Sequence, residues 1–343
     1  MRMMRLLALF SFNLLILNVN VFLVLAKVPA TPKILFTSAR DGNREVYIMN
    51  PDGSEQVRLT DHPANDLHAV WSPTGEQILF VSDRDGKRDL YLMDPDGSNI
   101  RRVFKNELKR NFTLRDYPTW SPDGQQIAYM HINWDKDIDA IHITNLEEQE
   151  ENFIANGFHP AWAPDGVEIA YAPLEDGRMT LINVRTSAQK RILPRKELGG
   201  QAMPSWSAMA DKLTFSWNNN PLPPDFKPGD KLPEGWADKR TIYIVNRDGT
   251  GLQQLVDEAG PKASTPKLSP NGKKVLYTQE IKGRLQIFKI DIDTGIQTQL
   301  THIVGLSLFQ ANSGGAWFDP AFALPVSPQP QLLTTTWGEL KQE

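Results

Sequence analysis

Four side chains of this sequence invite a chemical reading together: His68, Asp116, Tyr117 and His159. Imidazole and carboxylate groups are common ligands of divalent metals, and a pair of acids flanking one bond is what glycoside cleavage requires. The spacing supports neither. The histidines fall two repeats apart, no Asp or Glu shares their register, and Asp116 has no second acid beside it. No metal, cofactor or catalytic residue is therefore assigned. The four read as polar groups at a wet opening, with Asp116 capping a loop, and as candidates for contact with a partner or ligand.

Three tryptophans form a second group. Trp217 and Trp236 lie in or beside "SWNNNPLPPDFKPGDKLPEGWADKR", with Phe226 between them, and Trp134 lies in "NWDKD". Excursions as long and Pro-rich as the first are usually functional or mobile. An exposed indole stacks on a sugar ring or fills a partner's pocket. A buried one pins the excursion to the body beneath it. The sequence leaves both open.

What positions these residues is a repeat. "ILFTSARDGNREVYIMNPDGS" from Ile34 and "ILFVSDRDGKRDLYLMDPDGS" from Ile78 agree at 14 of 21 positions. A second motif recurs more widely, anchored at Trp71, Trp120, Trp162, Trp206, Leu268 and Trp317, with spacings of 49, 42, 44, 62 and 49 residues. Periods of roughly 40–50 residues point to radial or stacked architectures. Within each unit, short runs of β-branched and aromatic residues alternate with Pro-Asp-Gly and related turns, four strands to a unit. Runs such as "ILFV" and "LYLM" are apolar throughout, as in a sheet packed on both faces. Three strands precede Trp71 without an anchor and one anchor strand ends the series at Trp317. The expected fold is an all-β, six-bladed propeller over residues 33–325, closed by a blade split between the two ends. A β-sandwich pair fits the fixed period less well.

In that fold the residue three before each anchor rings the central channel: His68, Tyr117, His159, Met203, Thr265 and Gly314. The turns on one face are short and uniform. The segments entering each anchor and the loops between second and third strands share the other face, vary in sequence, and are where binding is expected. The excursion at 218–240 belongs there, as an arm or lid beside the channel.

"WSPDG", an apolar strand, "SDRDG", "LYLMDPDGS" and a closing Leu-Thr resemble the repeat of TolB-like proteins, periplasmic six-bladed propellers. The resemblance covers roughly residues 33–325 and is sharpest in the first three units. It extends to the propeller and not to the separate N-terminal α/β domain of that family's namesake. It implies a non-catalytic scaffold of the bacterial envelope that binds a protein or peptide; a carbohydrate-binding or carbohydrate-cleaving ring is the alternative. Similar rings accompany hydrolase domains in prolyl oligopeptidase-like enzymes, but no G-x-S-x-G elbow, H-E-x-x-H or phosphate loop occurs here.

The ends complete the reading. "MRMMR", an apolar stretch and the small residue Ala26 have the layout of an export signal over residues 1–26. An uncleaved membrane anchor is the alternative, since about twenty apolar residues span a bilayer. After cleavage no membrane span is expected, and the protein is periplasmic or extracellular. With 37 basic and 41 acidic residues the formal charge is -4. It becomes -6 without the two arginines of the leader, and nothing suggests nucleic acid. There is no cysteine, so stability must come from a sizeable core rather than disulfides. A closed single ring is expected as a monomer. Asn111 begins an N-F-T sequon, and residues 326–343 read as a flexible tail.

Overall fold

The computed structural model describes residues 28–105, 113–134, 138–194, 200–220, 233–302 and 311–325. The expected leader, the tail, Asn111 and Phe226 lie outside them. The described chain is built of antiparallel strands; one three-residue 3-10 turn, Ala237–Lys239, is its only helical element. No helix among the described residues is long and apolar enough to cross a membrane.

Blade 1 is the split blade. Its inner strand Asn312–Phe318 pairs with Lys33–Ser38, followed by Glu45–Met49 and Val57–Arg58. The closing register sets Lys33 opposite Phe318 and Ile34 opposite Trp317, so the last anchor strand covers the edge that the first strand would otherwise leave open. Blade 2 runs Asp66–Trp71, Ile78–Ser82, Asp89–Met93 and Arg101–Arg102. Blade 5 (Ala202–Trp206, Lys212–Trp217, Thr241–Asn246, Gln253–Gln254) and blade 6 (Ala263–Leu268, Lys274–Ile281, Arg284–Asp291, Gln297–Gln299) repeat the order.

Blades 3 and 4 depart from it. They form one seven-stranded sheet because the twelve-residue strand Glu151–Trp162 serves both. Its first half pairs with Ile138–Asn145, completing blade 3 outside Thr113–Trp120 and Gln126–Asn133. Its second half pairs with Glu168–Pro173 as the inner strand of blade 4, before Thr180–Asn183 and Gln189–Arg191. "NGFHPA", expected as an irregular entering loop, is therefore strand. At the corresponding junction of blades 1 and 2 the chain turns through "TDHPAN". "EENFIANGFHPAW" carries turn formers of its own, Asn156-Gly157 and Pro160, yet Asn156 pairs with Ala140 and Gly157 with Pro173, which keeps the backbone extended.

The six inner strands touch in a closed cycle, blade 1 to 2, 3, 4, 5, 6 and back to 1. The core is correspondingly divided into six clusters, one between each pair of neighbouring blades. This explains the continuous apolar runs. Successive side chains of a strand point to opposite faces, so Ile78 and Phe80 pack towards blade 1 while Leu79 and Val81 pack towards blade 3. Each such Leu, Val, Ile or Phe contributes roughly 1.5–3 kcal/mol on burial. The anchors sit at the same joints: the indole N–H of Trp206 donates to the Ala161 carbonyl at 3.0 Å and that of Trp317 to Lys267 at 3.0 Å.

The duplicated phrase has a local purpose. In both copies an arginine after the second strand folds back over two rings, Arg40 over Phe36 and Tyr47, and Arg84 over Phe80 and Tyr91. The tyrosine hydroxyls donate to Asp41 and Asp85. The loop between second and third strands is thus tied to its own sheet.

Candidate functional site

Every inner strand is interrupted at the same place. The pairing with the second strand slips between the residues four and one before the anchor in blades 2 to 6, and at the equivalent point of blade 1. The residue three before the anchor takes a left-handed backbone in all six, with φ of 52° at His68, 48° at Tyr117, 54° at His159, 58° at Met203, 52° at Thr265 and 71° at Gly314. Side chains other than glycine rarely adopt this region. A bulge of this kind re-aims a side chain at the cost of local strain. Here it gathers one residue per blade around a common cavity of about 70 Å³, walled also by Pro118, Pro160, Pro204 and Lys267.

On one side of the cavity the polar groups are matched. His68 Nδ1 lies 2.5 Å from Oδ1 of Asp116, and Arg88 Nη1 donates to its Oδ2 at 2.9 Å. The Tyr117 backbone N–H adds a third bond, 2.8 Å to Oδ1. Burial works against the charge of Asp116, but His68 and Arg88 outweigh it and hold the carboxyl below the usual carboxylate range. With an ionised acceptor opposite it, Nδ1 of His68 is a nitrogen that carries a proton. The Tyr117 ring stacks on His68 at 4.1 Å and meets His159 edge-on at 4.5 Å. Burial, with Asp116 nearby, pushes the Tyr117 hydroxyl up to about 12. Asp116 was expected as a loop cap; it is an ion-pair partner for two other blade residues as well.

On the other side they are not matched. His159 is held down to about 3, first by burial and then by the positive charges of His68, Arg240 and Lys267, against the pull of Asp116. Its Nδ1 is buried without a hydrogen-bond partner. Burial also lowers Lys267 and Arg240. Neither has an ion-pair partner among the described residues. No group of three or more His, Asp or Glu side chains able to hold a metal occurs among the described residues.

The tryptophans divide. Trp134 is 66% exposed at the tip of the hairpin in blade 3. Trp217 is wholly buried, 5.0 Å from Tyr243 and 6.1 Å from Phe215 between ring centroids, in the cluster joining blades 4 and 5. A contact role for Trp217 is thereby withdrawn: strand alternation points it into the joint. Trp236 is half-buried, donates its indole N–H to the Asn220 carbonyl at 3.2 Å and accepts from Asn218 through its own carbonyl. It ties the base of the excursion. Arg88, Arg240 and Lys267 were missed by sequence reasoning. The first two carried a signal, since "KRDLYLM" and "KRTIYIV" set an arginine at the same place before the third strand.

Residues 26–210, more than half of the 343, match the family described as "TolB beta propeller domain". The chain belongs to the TolB β-propeller family. A curated relative, "Tol-Pal system protein TolB" of Pseudomonas fluorescens, is 34% identical over 77 residues, which is 22% of this chain and 18% of that protein. The structure of TolB from Acinetobacter baumannii has a TM-score of 0.65 and 16% identity, covering 83% of this chain and 66% of that one. Oligogalacturonate lyase in complex with manganese has a TM-score of 0.53 and 17% identity over 78% of this chain and 73% of that one. At such identities the two structures share the fold. The match spans less than two thirds of the length of the curated TolB relatives.

Proposed function

We propose that this chain is an exported, non-catalytic member of the TolB β-propeller family that binds a protein or peptide partner at the channel-mouth face. The observation that carries this reading is the convergence of six inner-strand residues, five of them non-glycine residues in the strained left-handed region, on one cavity, with the exposed Trp134 and Trp236 at the base of the excursion beside the same face. A rigid ring with chemistry concentrated at one opening is a platform for recognition. The relatives named for the Tol-Pal system support a place in the cell envelope; the proposal takes residues 1–26 as the cleaved leader, residues 33–325 as one monomeric ring, and the location as periplasmic or extracellular. The alternative, a carbohydrate-binding or carbohydrate-cleaving ring, draws on the His68–Asp116 pair and on the fold shared with oligogalacturonate lyase. No Asp or Glu is among the described residues lining the cavity, where acid-assisted glycoside cleavage uses two.

The test is affinity capture from envelope extract with the tagged mature protein, beside a glycan array. A protein retained by wild type and lost on His68→Ala with Tyr117→Ala supports the reading. Saturable glycan binding with no retained protein reverses it.

A further inference from the structure

The channel mouth has an imbalance of charge. Arg88 and Arg240 occupy equivalent places: each precedes a third strand, and each gives its carbonyl to the backbone N–H at the start of the next inner strand, Arg115 at 3.1 Å and Ala263 at 2.9 Å. Arg88 finds a carboxylate four residues before the next anchor, Asp116. The same position in blade 6 is Ser264, which brings no charge. Arg240 is half-buried with no ion-pair partner among the described residues, and Lys267 lines the cavity in the same condition. His159, against the cavity wall, adds a buried Nδ1 with nothing to bond. Buried cations are ordinarily paired. Lys267, half-buried at the cavity and without an ion-pair partner among the described residues, with Arg240 near enough to act on His159, forms half of an ion-pair network beside an orphaned ring nitrogen, in a protein whose overall charge is -4.

We propose that this side of the channel mouth is a carboxylate receptor, in which Lys267, Arg240 and His159 accept an acidic group from a partner peptide. The inference rests on the protein-binding reading above and names the chemistry of its contact. A cavity of about 70 Å³ is several times the roughly 10–15 Å³ that one water requires. It admits the tip of an aspartate or glutamate, or a chain-terminal carboxylate, more readily than a sugar ring. The apolar surroundings of Phe36, Val70, Pro160 and Pro204 suit the stem of such a side chain and strengthen the charge pairing by excluding water. A carboxylate placed here relieves the desolvated cations and gives His159 an acceptor. The matched His68–Asp116–Arg88 wall opposite leaves no competing free cation and orients the aromatic surface of Tyr117.

The test uses the full mature protein with histidine-selective nitrogen labelling. N-acetylglutamate methylamide supplies a side-chain carboxylate, N-acetylglycine a chain-end carboxylate, N-acetylglutamine methylamide a neutral control, and galacturonate a sugar acid. Saturable movement of the His159 ring signals with either acetylated acid, absent with the glutamine compound, is expected; whichever acid binds more tightly identifies side chain or chain end as the source. Lys267→Met and Arg240→Gln should each weaken binding at least tenfold, while Lys267→Arg retains it and a change at the exposed Ile296, Ile296→Ser, leaves it unchanged. Equal binding of the glutamine compound, or unaltered affinity in folded Lys267→Met, overturns the proposal. Tighter binding of galacturonate than of both acetylated acids overturns its assignment to peptides. Capture of a partner by a Lys267→Met variant that no longer binds acids would retire the inference and leave the protein-binding reading intact. Acid binding with no captured partner would do the reverse.

Discussion

Replacing Asp116 by asparagine removes one negative charge from a side chain that is 1% exposed and holds His68 and Arg88 together. Breaking a fully buried ion pair costs about 3–5 kcal/mol. Here the partners are 30% and 39% exposed, so water takes over part of their solvation and the cost is discounted to about 2 kcal/mol. Unfolding entropy is about 2.1 cal/mol/K per residue. For the roughly 260 described residues that gives about 0.5 kcal/mol/K, and a fall in Tm of about 4 °C. The pH dependence is the sharper mark. The folded pKa of Asp116 lies below its usual value, so its stabilisation is fully present above the unfolded value of about 3.9. It is lost as pH falls through the folded value. Urea denaturation of wild type and Asp116→Asn at pH 7 should therefore differ by about 2 kcal/mol. The gap should narrow steadily below pH 4. A gap that is absent at pH 7, or one that stays constant down to the lowest pH at which both proteins fold, would refute the reasoning.

Three further outcomes follow from the same geometry. Trp217→Ala should cost about 3–5 kcal/mol and lower Tm by about 6–10 °C in a thermal melt while leaving partner capture intact. Loss of capture without a change in Tm would return that residue to the binding surface. His159 is held at about 3 in the fold against about 6.5 when unfolded, so the unfolded chain takes up its proton first and stability declines as pH falls from 6.5 towards 3. His159→Gln should flatten that decline, leaving a smaller slope from His142, which burial and His131 hold at about 4; an unchanged slope would show that His159 is not desolvated. Replacing residues 218–240 with a turn such as "SDRDG" should preserve the ring, because Trp217 and Thr241 are already paired across the second and third strands of blade 5 and loop length affects closure only logarithmically. Circular dichroism of that variant should retain the β-signature.

The ring was readable from the sequence because propeller blades are local: each is four consecutive strands separated by turns whose residues name themselves, and the spacing of Trp71, Trp120 and Trp162 counts them. The inner-strand residues at the channel were readable for the same reason, by counting back three from each anchor. Two things were not. The shared strand Glu151–Trp162 carries the turn residues of an ordinary junction, Asn156-Gly157 and Pro160, and its extended course is set by pairing with both neighbours, which the sequence does not mark. The unpaired cations are a property of two blades meeting. Arg240 is one of three arginines at its place; the position of Asp116 is uncharged beside two of them, Leu67 for Arg44 and Ser264 for Arg240, and only the half-burial of Arg240 sets it apart from the exposed Arg44. Trp217 illustrates the remaining difficulty, since strand alternation decides whether an indole at the end of a strand faces a partner or the neighbouring blade.

The strand common to blades 3 and 4 changes how the opening can breathe. Five of the six joints between blades are held by packed side chains with at most isolated main-chain hydrogen bonds, such as Arg115 N–H to the Arg88 carbonyl at 3.1 Å, and can yield slightly as wedges tilt. The sixth is stitched by continuous main chain, and His159 sits within that stitch. Widening of the mouth is therefore lopsided: the wall carrying His159 acts as the fixed jaw, and displacement is taken up across the ring, where Gly314 and Lys267 ride on blades that can lean apart.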